Sequence, residues 1–401
     1  MRFRSTRSDS EVDFVGALVE GLAPDGGLYT PVEIPSLPDD WRSWGYVESV
    51  AGVLRAFGAP DPDTLVAEAA AAFSHPDIAP IVEVGDRRVL ELFWGPTLSF
   101  KDHALQVVAR LLAREVSDRT VLVATSGDTG SAAIEACRGR LPIVVLFPEG
   151  RVAEMQRRQM TTVDDDLVTV LAVRGTFDDC QALVKEAFRV RRDLLAVNSI
   201  NFARVAVQAG YYVHAAARIG EPFEVVVPTG NFGNAYSAWT AARMGAPIER
   251  VVVATNANRY LADLFSEGVE RRSDVVPTVA PAMDIQVPSN LERLPAEART
   301  DFVAGWADDE EIRETIARVF REHRYVLDPH TAAAWKVADE QIGNLPRLVV
   351  GTAHPAKFSD VVTDAIGESP GIPASLARLA DLPERHRIID PTPEALFEAL
   401  G

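Results

Sequence analysis

Four places in the sequence carry residue types that can do chemistry. Lys101 lies in LELFWGPTLSFKDHALQVVARLL (90–112). There VLELFW reads as a strand, GPT as a turn, and a helix begins near Ser99 with Phe100, Ala104, Val107, Val108 and Leu111 on one apolar face. Lys101 therefore falls in the first helical turn, the end of the macrodipole that disfavours a cation. Burial beside the Phe100 stripe disfavours its charge further, and a lysine with a depressed pKa is what imine chemistry needs. The plain alternative is an exposed lysine paired with Asp102. ATSGDTGSAA (124–133) combines two glycines and four small hydroxyl residues ahead of a helix, which suits a carboxylate or phosphate. It is equally an ordinary turn capped by Ser126, Asp128 or Thr129. In VPTGNFGNAY (227–236), Gly230 and Gly233 bracket Asn231 and Phe232 before another helix, so successive N–H groups can form a nest for phosphate. No G-K-[ST] or G-x-G-x-x-G is present, and a turn capped by Asn234 is the bland reading. VVGTAHPAKF (349–358) ends a strand at Thr352, whose neutral hydroxyl can meet a ligand heteroatom or simply be a satisfied core threonine. His354 reads as a packed or capping histidine, because no H-x-x-x-H or H-E-x-x-H pair accompanies it.

These loops need elements to hold them. Short β-branched runs at 120–124, 142–147, 167–173, 194–197, 224–229, 250–255 and 347–352 alternate with helical patterns from about residue 86 onward. Continuous apolar strands separated by helices mark parallel sheets with both faces covered. The class is α/β, with more than one sheet expected at this length. In such folds ligands bind at the carboxyl ends of strands, where three of the four candidate segments lie. The expected division is an N-terminal lobe (1–85), a large domain (86–118 and 216–401) and a small closing domain (119–215).

The whole-chain numbers exclude several classes. The 401 residues carry 40 Lys+Arg against 58 Asp+Glu, a formal charge of −18. That field repels nucleic acid and anionic membrane, and neither is expected as a partner. Hydrophobic residues make up 47%, yet no apolar run reaches the ~18–20 residues of a membrane span, and no signal peptide is apparent. Two separated cysteines, Cys137 and Cys180, argue against a disulfide scaffold or a structural zinc site. A cytoplasmic, metal-free protein is the expectation.

Taken together, a lysine able to form an imine, a phosphate nest, a neutral hydroxyl at a strand end and a second anion loop suit pyridoxal 5'-phosphate and an amino-acid substrate. ELFWGPTLSFKDHALQ, VATSGDTGSAA, EMQRRQMTTV, GTFDDCQALVK, VNSINFARV, VPTGNFGNA, APAMDIQVPSNLERL, LDPHTA and TAHPAKF follow in order, with STR and GLAPDGGLYTP near the N-terminus. In this ordered set the chain resembles the threonine synthase family, in its long form with an extra N-terminal lobe, over nearly its whole length. The resemblance implies fold type II pyridoxal-phosphate architecture, like the tryptophan synthase β chain: two open α/β domains with parallel sheets plus the lobe.

It further implies that Lys101 links to the cofactor and moves protons. Gly230, Asn231, Phe232, Gly233 and Asn234 match the phosphate cradle, and Thr352 the residue facing the pyridine nitrogen. Thr125, Ser126, Gly127, Asp128 and Thr129 match the loop that closes on the substrate carboxylate. Asp128, near the ring phenolate, needs a shared proton. Asn198, Ser199 and Arg204 resemble groups that hold the substrate phosphate, for which a guanidinium is well shaped. The implied reaction turns O-phospho-L-homoserine and water into L-threonine and phosphate, in a monomer or homodimer. Two positions depart from the family pattern: Trp94 stands where histidine is usual, which removes any polar role there, and Arg259 where aspartate is expected. They leave open a paralogue that eliminates phosphate without hydration or acts on a related amino acid. A catalytically silent binding protein is the non-enzyme alternative.

Overall fold

The computed structural model describes residues 1–125, 127–341 and 343–400, and Ser126 lies outside them. Fourteen strands form three sheets among the described residues. The N-terminal sheet is small and antiparallel, in the order β2-β1-β3, from β1 (Phe3–Ser5), β2 (Glu11–Val12) and β3 (Tyr29–Pro31). Phe3 anchors it, packed edge-on or tilted in a cluster with Phe14, Phe57 and Phe202.

The largest sheet uses β4 (Ile81–Val84), β5 (Arg87–Glu91), β10 (Phe223–Pro228), β11 (Ile248–Thr255), β12 (Phe302–Trp306) and β13 (Arg347–Gly351). Its order is β12-β11-β10-β13-β5-β4, parallel except for the β4–β5 pair. The other sheet uses β6 (Thr120–Ala124), β7 (Ile143–Pro148), β8 (Val168–Val173), β9 (Leu194–Leu195) and β14 (Arg387–Ile389). It is parallel throughout, ordered β14-β8-β7-β6-β9. All six residues of β7 and of β10 are buried, as expected of strands covered on both faces; the one charge among them, Glu224, is paired with Arg250 and Arg347.

Pairing crosses the segment boundaries drawn from sequence at two places. β4 belongs to 1–85 in chain order but joins the largest sheet through β5, and β14 belongs to 216–401 but pairs with β8.

Strand order decides where the loops meet. β5, β13 and β10 are neighbours, so the segments leaving their carboxyl ends, 92–100, 352–354 and 229–233, emerge side by side. β6 and β9 are likewise neighbours and deliver 125–128 and 196–201. Two long helices carry the side chains inward. Lys101–Glu115 is buried from Asp102 to Leu112, so its periodic apolar face is only part of an all-round contact. Phe202–Ile219 starts on Asn201, whose side chain accepts from Ala203 N at 3.1 Å and donates to Leu18 O at 2.8 Å, and it ends at Gly220 with φ 73°. Among the described residues no helix is long and apolar enough to cross a membrane.

Candidate active site

Lys101 is the first residue of its helix, and the backbone before it is tied to the neighbouring strand end: Phe100 N donates to Thr352 O at 2.8 Å. This bond brings the lysine and Thr352 to one place. The Lys101 ammonium lies 4.5 Å from the Phe100 ring centroid, a cation–π contact. Its partner is Asp128, with Nζ 3.5 Å from Oδ2. Burial lowers the Lys101 pKa; Asp128 opposes that, while Lys357 and Arg204 add to it. The amine therefore sheds its proton more readily than a free lysine, as a nucleophile and base must.

Asp102 is not the lysine's partner. Its carboxylate turns back to accept from Thr97 N at 2.9 Å, Thr97 Oγ1 at 2.7 Å and Ser99 N at 3.4 Å, fixing the turn before the helix. Leu98 in that turn has φ 59°, and Phe232 has φ 63°. Both are bulky residues in the left-handed region, costing ~1–2 kcal/mol each, and both flank the candidate loops.

Burial pushes the Asp102 carboxyl up to about 6. A raised acid contributes stability that is complete below the unfolded value near 4 and is lost as pH rises through about 6. Asp102→Asn keeps a carbonyl oxygen for the two backbone N–H groups and offers its NH₂ to the Thr97 hydroxyl. Its unfolding free energy should exceed that of the parent by on the order of 2–3 kcal/mol at pH 8 and converge with it near pH 4. Urea denaturation at the two pH values checks this; equal gaps at both would remove Asp102 as the titrating group.

Asp128 is surrounded by donors. Oδ1 accepts from Lys357 Nζ at 2.8 Å and Gln156 Nε2 at 2.7 Å, while Oδ2 faces Lys101. Burial alone would raise this carboxyl, but Lys357 and Lys101 hold it well below the usual carboxylate range. Its helix, Asp128–Cys137, starts after Gly127 with no side-chain cap, so the capping alternative does not describe Asp128 or Thr129. The Thr125 hydroxyl accepts from Gly127 N and Gly130 N, both at 3.0 Å, and shapes the loop from within. A Cβ at Gly127 would collide with the Gln156 side chain. Thr129 is half-buried at the first turn.

The loop 230–234 leads into the helix Gly233–Arg243. A Cβ on Gly230 would lie 2.5 Å from Ala282 O and 3.0 Å from Met283 Cα, so only glycine fits against that backbone. Asn231 donates to Ser199 Oγ and accepts from Ser289 N at 2.6 Å, which ties the loop to the 198–204 segment. The Phe232 ring is buried against Phe265 and Phe302, so only its backbone faces the loop. Asn234 is not a cap: its Oδ1 accepts from the Tyr211 and Tyr212 hydroxyls, and its buried Nδ2 has no partner. Gly230→Ala should force the loop from Ala282 and Met283, costing ~1–3 kcal/mol of stability and weakening cofactor retention. Dialysis against buffer with absorbance monitoring checks the second effect.

Arg204 is buried at 3% exposure. Its Nη1 donates to Val197 O at 3.2 Å, and its Nε is buried without a partner. Burial lowers its pKa to about 10. A desolvated guanidinium lacking a carboxylate is a group waiting for an anion. Asn198, by contrast, is exposed.

Both departures make polar contacts within the fold. Trp94 keeps a polar role after all: its indole N–H donates to Glu91 Oε2 at 2.8 Å, while Tyr325 OH donates to Glu91 Oε1 at 2.8 Å. Arg259 pairs with Asp263 at 2.8 Å and lies 4.8 Å from the Trp306 ring centroid. His354 caps the short turn Pro355–Phe358, its ring accepting from Ala356 N at 3.2 Å. Among the described residues no cluster of three or more His, Cys, Asp or Glu is placed to hold a metal.

Sequence reasoning missed Lys357 and Gln156. A signal for the first was present: a lysine inside the apolar run after Thr352 is either buried with a partner or misplaced.

The groups fit one cofactor: an amine of lowered pKa, an unpartnered buried amide at a glycine loop and helix start, and a neutral hydroxyl at the neighbouring strand end. With two largely parallel sheets meeting around them, they define a fold type II pyridoxal-phosphate enzyme. A family model for pyridoxal-phosphate dependent enzymes matches residues 90–355, and models for the threonine synthase N terminus and C-terminal region match 2–67 and 331–399. The chain belongs to the threonine synthase family. It is 39% identical to threonine synthase of Pseudomonas aeruginosa, covering 97% of this chain and 96% of that one. A pyridoxal-phosphate-bound threonine synthase structure from Brucella melitensis superposes with TM-score 0.94 at 38% identity, covering 100% and 98% of the two chains. The Escherichia coli threonine synthase structure gives 0.91 at 32%, covering 100% and 99%.

Proposed function

We propose that the protein converts O-phospho-L-homoserine and water into L-threonine and phosphate, with Lys101 as the reacting amine. The observation that carries the substrate choice is Arg204, a buried guanidinium with an unpartnered Nε, close enough to Lys101 to act on its charge. Ser199, on the same segment and bonded to Asn231, joins it at the phosphate of the substrate. Asn198, exposed on that segment, is the outer contact. Thr125, Ser126, Gly127 and Thr129 close on the substrate carboxylate, with the N–H groups of the helix start as donors. Gly230, the backbone of Asn231, Phe232 and Gly233, and Asn234 Nδ2 hold the cofactor phosphate, and Thr352 faces the ring nitrogen without imposing charge. Asp128 stays ionised beside Lys101.

Pyridoxal phosphate, when bound, supplies an electron sink that makes the substrate Cα–H acidic. Lys101 removes that proton and then one from Cβ; the phosphate leaves Cγ, protons return from Lys101 to Cγ and Cα, and water adds its hydroxyl at Cβ. Arg204 neutralises charge on the departing phosphate. Holding that phosphate beside Cβ orients the water that adds there, an entropic contribution. The protein acts in the cytoplasm as a monomer or homodimer, and the β6–β9 sheet with its helices is the closing lobe.

The test supplies O-phosphohomoserine to the holoenzyme and assays threonine, 2-oxobutyrate and phosphate together. Threonine and phosphate in equal amounts are expected. Phosphate with 2-oxobutyrate and no threonine would mark an eliminating enzyme instead.

A further inference from the structure

One buried cation has no role in the chemistry above. Lys357 is fully buried, and its Nζ donates to Thr97 O at 2.7 Å as well as meeting Asp128 Oδ1 at 2.8 Å. The Thr97 carbonyl also accepts from Gln159 Nε2 at 3.0 Å. The amine is thus fixed between two acceptors, on a turn separate from the helices that carry Lys101 and Asp128. Leu98, Ala356 and Leu376, with Met155 and Leu379 against them, form an apolar cluster over this corner. Leu98, Ala356 and Met155 are chain neighbours of Thr97, Lys357 and Gln156, all three of which are buried.

We propose that Lys357 is a positioning residue for the reaction at Lys101: it holds Asp128 ionised and turned so that one oxygen is always free for Lys101. The proposal rests on the role of Lys101 given above. Two donors, Lys357 and Gln156, saturate Oδ1 and leave Oδ2 to Lys101. Gln156 is neutral and cannot replace the charge. When Lys101 gives up its proton, Asp128 loses one of its two cationic partners. A buried carboxylate without a cation takes up a proton and becomes a donor. Lys357 prevents that change, so Asp128 remains an acceptor through every protonation state of Lys101. The Asp128 carboxylate beside an anionic cofactor thereby keeps Lys357 as a close basic partner.

The charged groups around the pair come from several elements. Lys101 and Asp102 lie on the helix Lys101–Glu115, Asp102 interacting with Lys357. Arg204, on the helix Phe202–Ile219, acts on Lys101, and Gln156 comes from the helix Glu154–Thr161.

The experiment compares holoenzymes of the parent, Lys357→Met, Asp128→Asn and the double variant. The parent must first form threonine from O-phosphohomoserine; failure there overturns the assigned reaction and says nothing against Lys357. With an active parent, Lys357→Met should lower kcat by about 100-fold with little change in KM, the size of a lost acid–base positioning effect. Its resting visible band, read without substrate, should titrate at a pH shifted by about one unit or more. The double variant should be no slower than Asp128→Asn alone, because Lys357 acts through Asp128. An unchanged kcat and unchanged band titration in Lys357→Met would overturn the proposal. If Lys357→Met does not fold, the double variant lacks both buried charges and is compared with Asp128→Asn directly. A further drop of about tenfold or more there would show that Lys357 acts independently of Asp128, and the proposal fails.

Discussion

Lys101→Ala should lower threonine formation by at least ~10⁴-fold while leaving the fold intact. Acid–base transfer by one placed group contributes about 10²–10⁴, and the same lysine also supplies the covalent attachment. Lys357 cannot take over, because its amine is committed to Asp128 and Thr97 at 2.8 and 2.7 Å. The fold should survive, because Asp128 keeps Lys357 and Gln156 as donors and is not left unpaired. Lys101→Arg should be equally inactive, since a guanidinium does not deprotonate at working pH. Borohydride reduction followed by peptide mass analysis should show a cofactor adduct on the 101 peptide of the parent and none in the variants. Turnover above roughly 1% of the parent in Lys101→Ala would assign the chemistry to another group.

Arg204→Met should trade function against stability in opposite directions. The guanidinium is almost wholly buried, its Nε lacks a partner, and its one described bond is to the Val197 carbonyl. Without an anion it is a desolvation cost, so an apolar side chain of similar length should leave the unfolding free energy unchanged or raise it. With substrate present, two charge-assisted bonds to phosphate contribute ~1.5–3 kcal/mol each, so kcat/KM should fall ~10²–10⁴-fold. Inhibition by inorganic phosphate should weaken in parallel, and this binding measurement needs no turnover. Arg204→Lys should recover little of either, because an ammonium cannot grip two oxygens in the same plane. Undiminished phosphate inhibition in Arg204→Met would place the phosphate site elsewhere.

Much of the large architecture is legible in the chain. The run TVLVA coincides with β6, and 224–229, 250–255 and 347–352 fall on β10, β11 and β13 within two residues at each end. Most residues of these strands are buried and apolar, so the signal is dense; Glu224 in β10 is an exception, buried against Arg250 and Arg347. β14 is largely exposed and only three residues long, and β4 is half-buried at a sheet edge. Such edges carry no continuous apolar run, which is why a boundary at residue 85 and a domain running to 401 do not reveal what those strands pair with.

The site divides in the same way. Lysine at a helix start, glycines before a second helix and a hydroxyl at a strand end are local patterns, and the chain states them directly. The neighbour rule that offers Asp102 as partner to Lys101 fails, because adjacent residues on a helix point in different directions. Asp102 is absorbed by Thr97 and Ser99, and the lysine meets Asp128 from another sheet. Likewise Asn234 is engaged by Tyr211 and Tyr212 rather than by its own helix.

By itself, then, the sequence determined the family, the α/β class and which residue types could hold cofactor and substrate. The tertiary structure alone decided their charge states. Protonation depends on burial and on charges within a few ångströms, and those neighbours arrive from β5, β6 and β13 in two different sheets. Lys101, Asp128 and Lys357 become one electrostatic unit only when the carboxyl ends of strands from the two sheets are brought together.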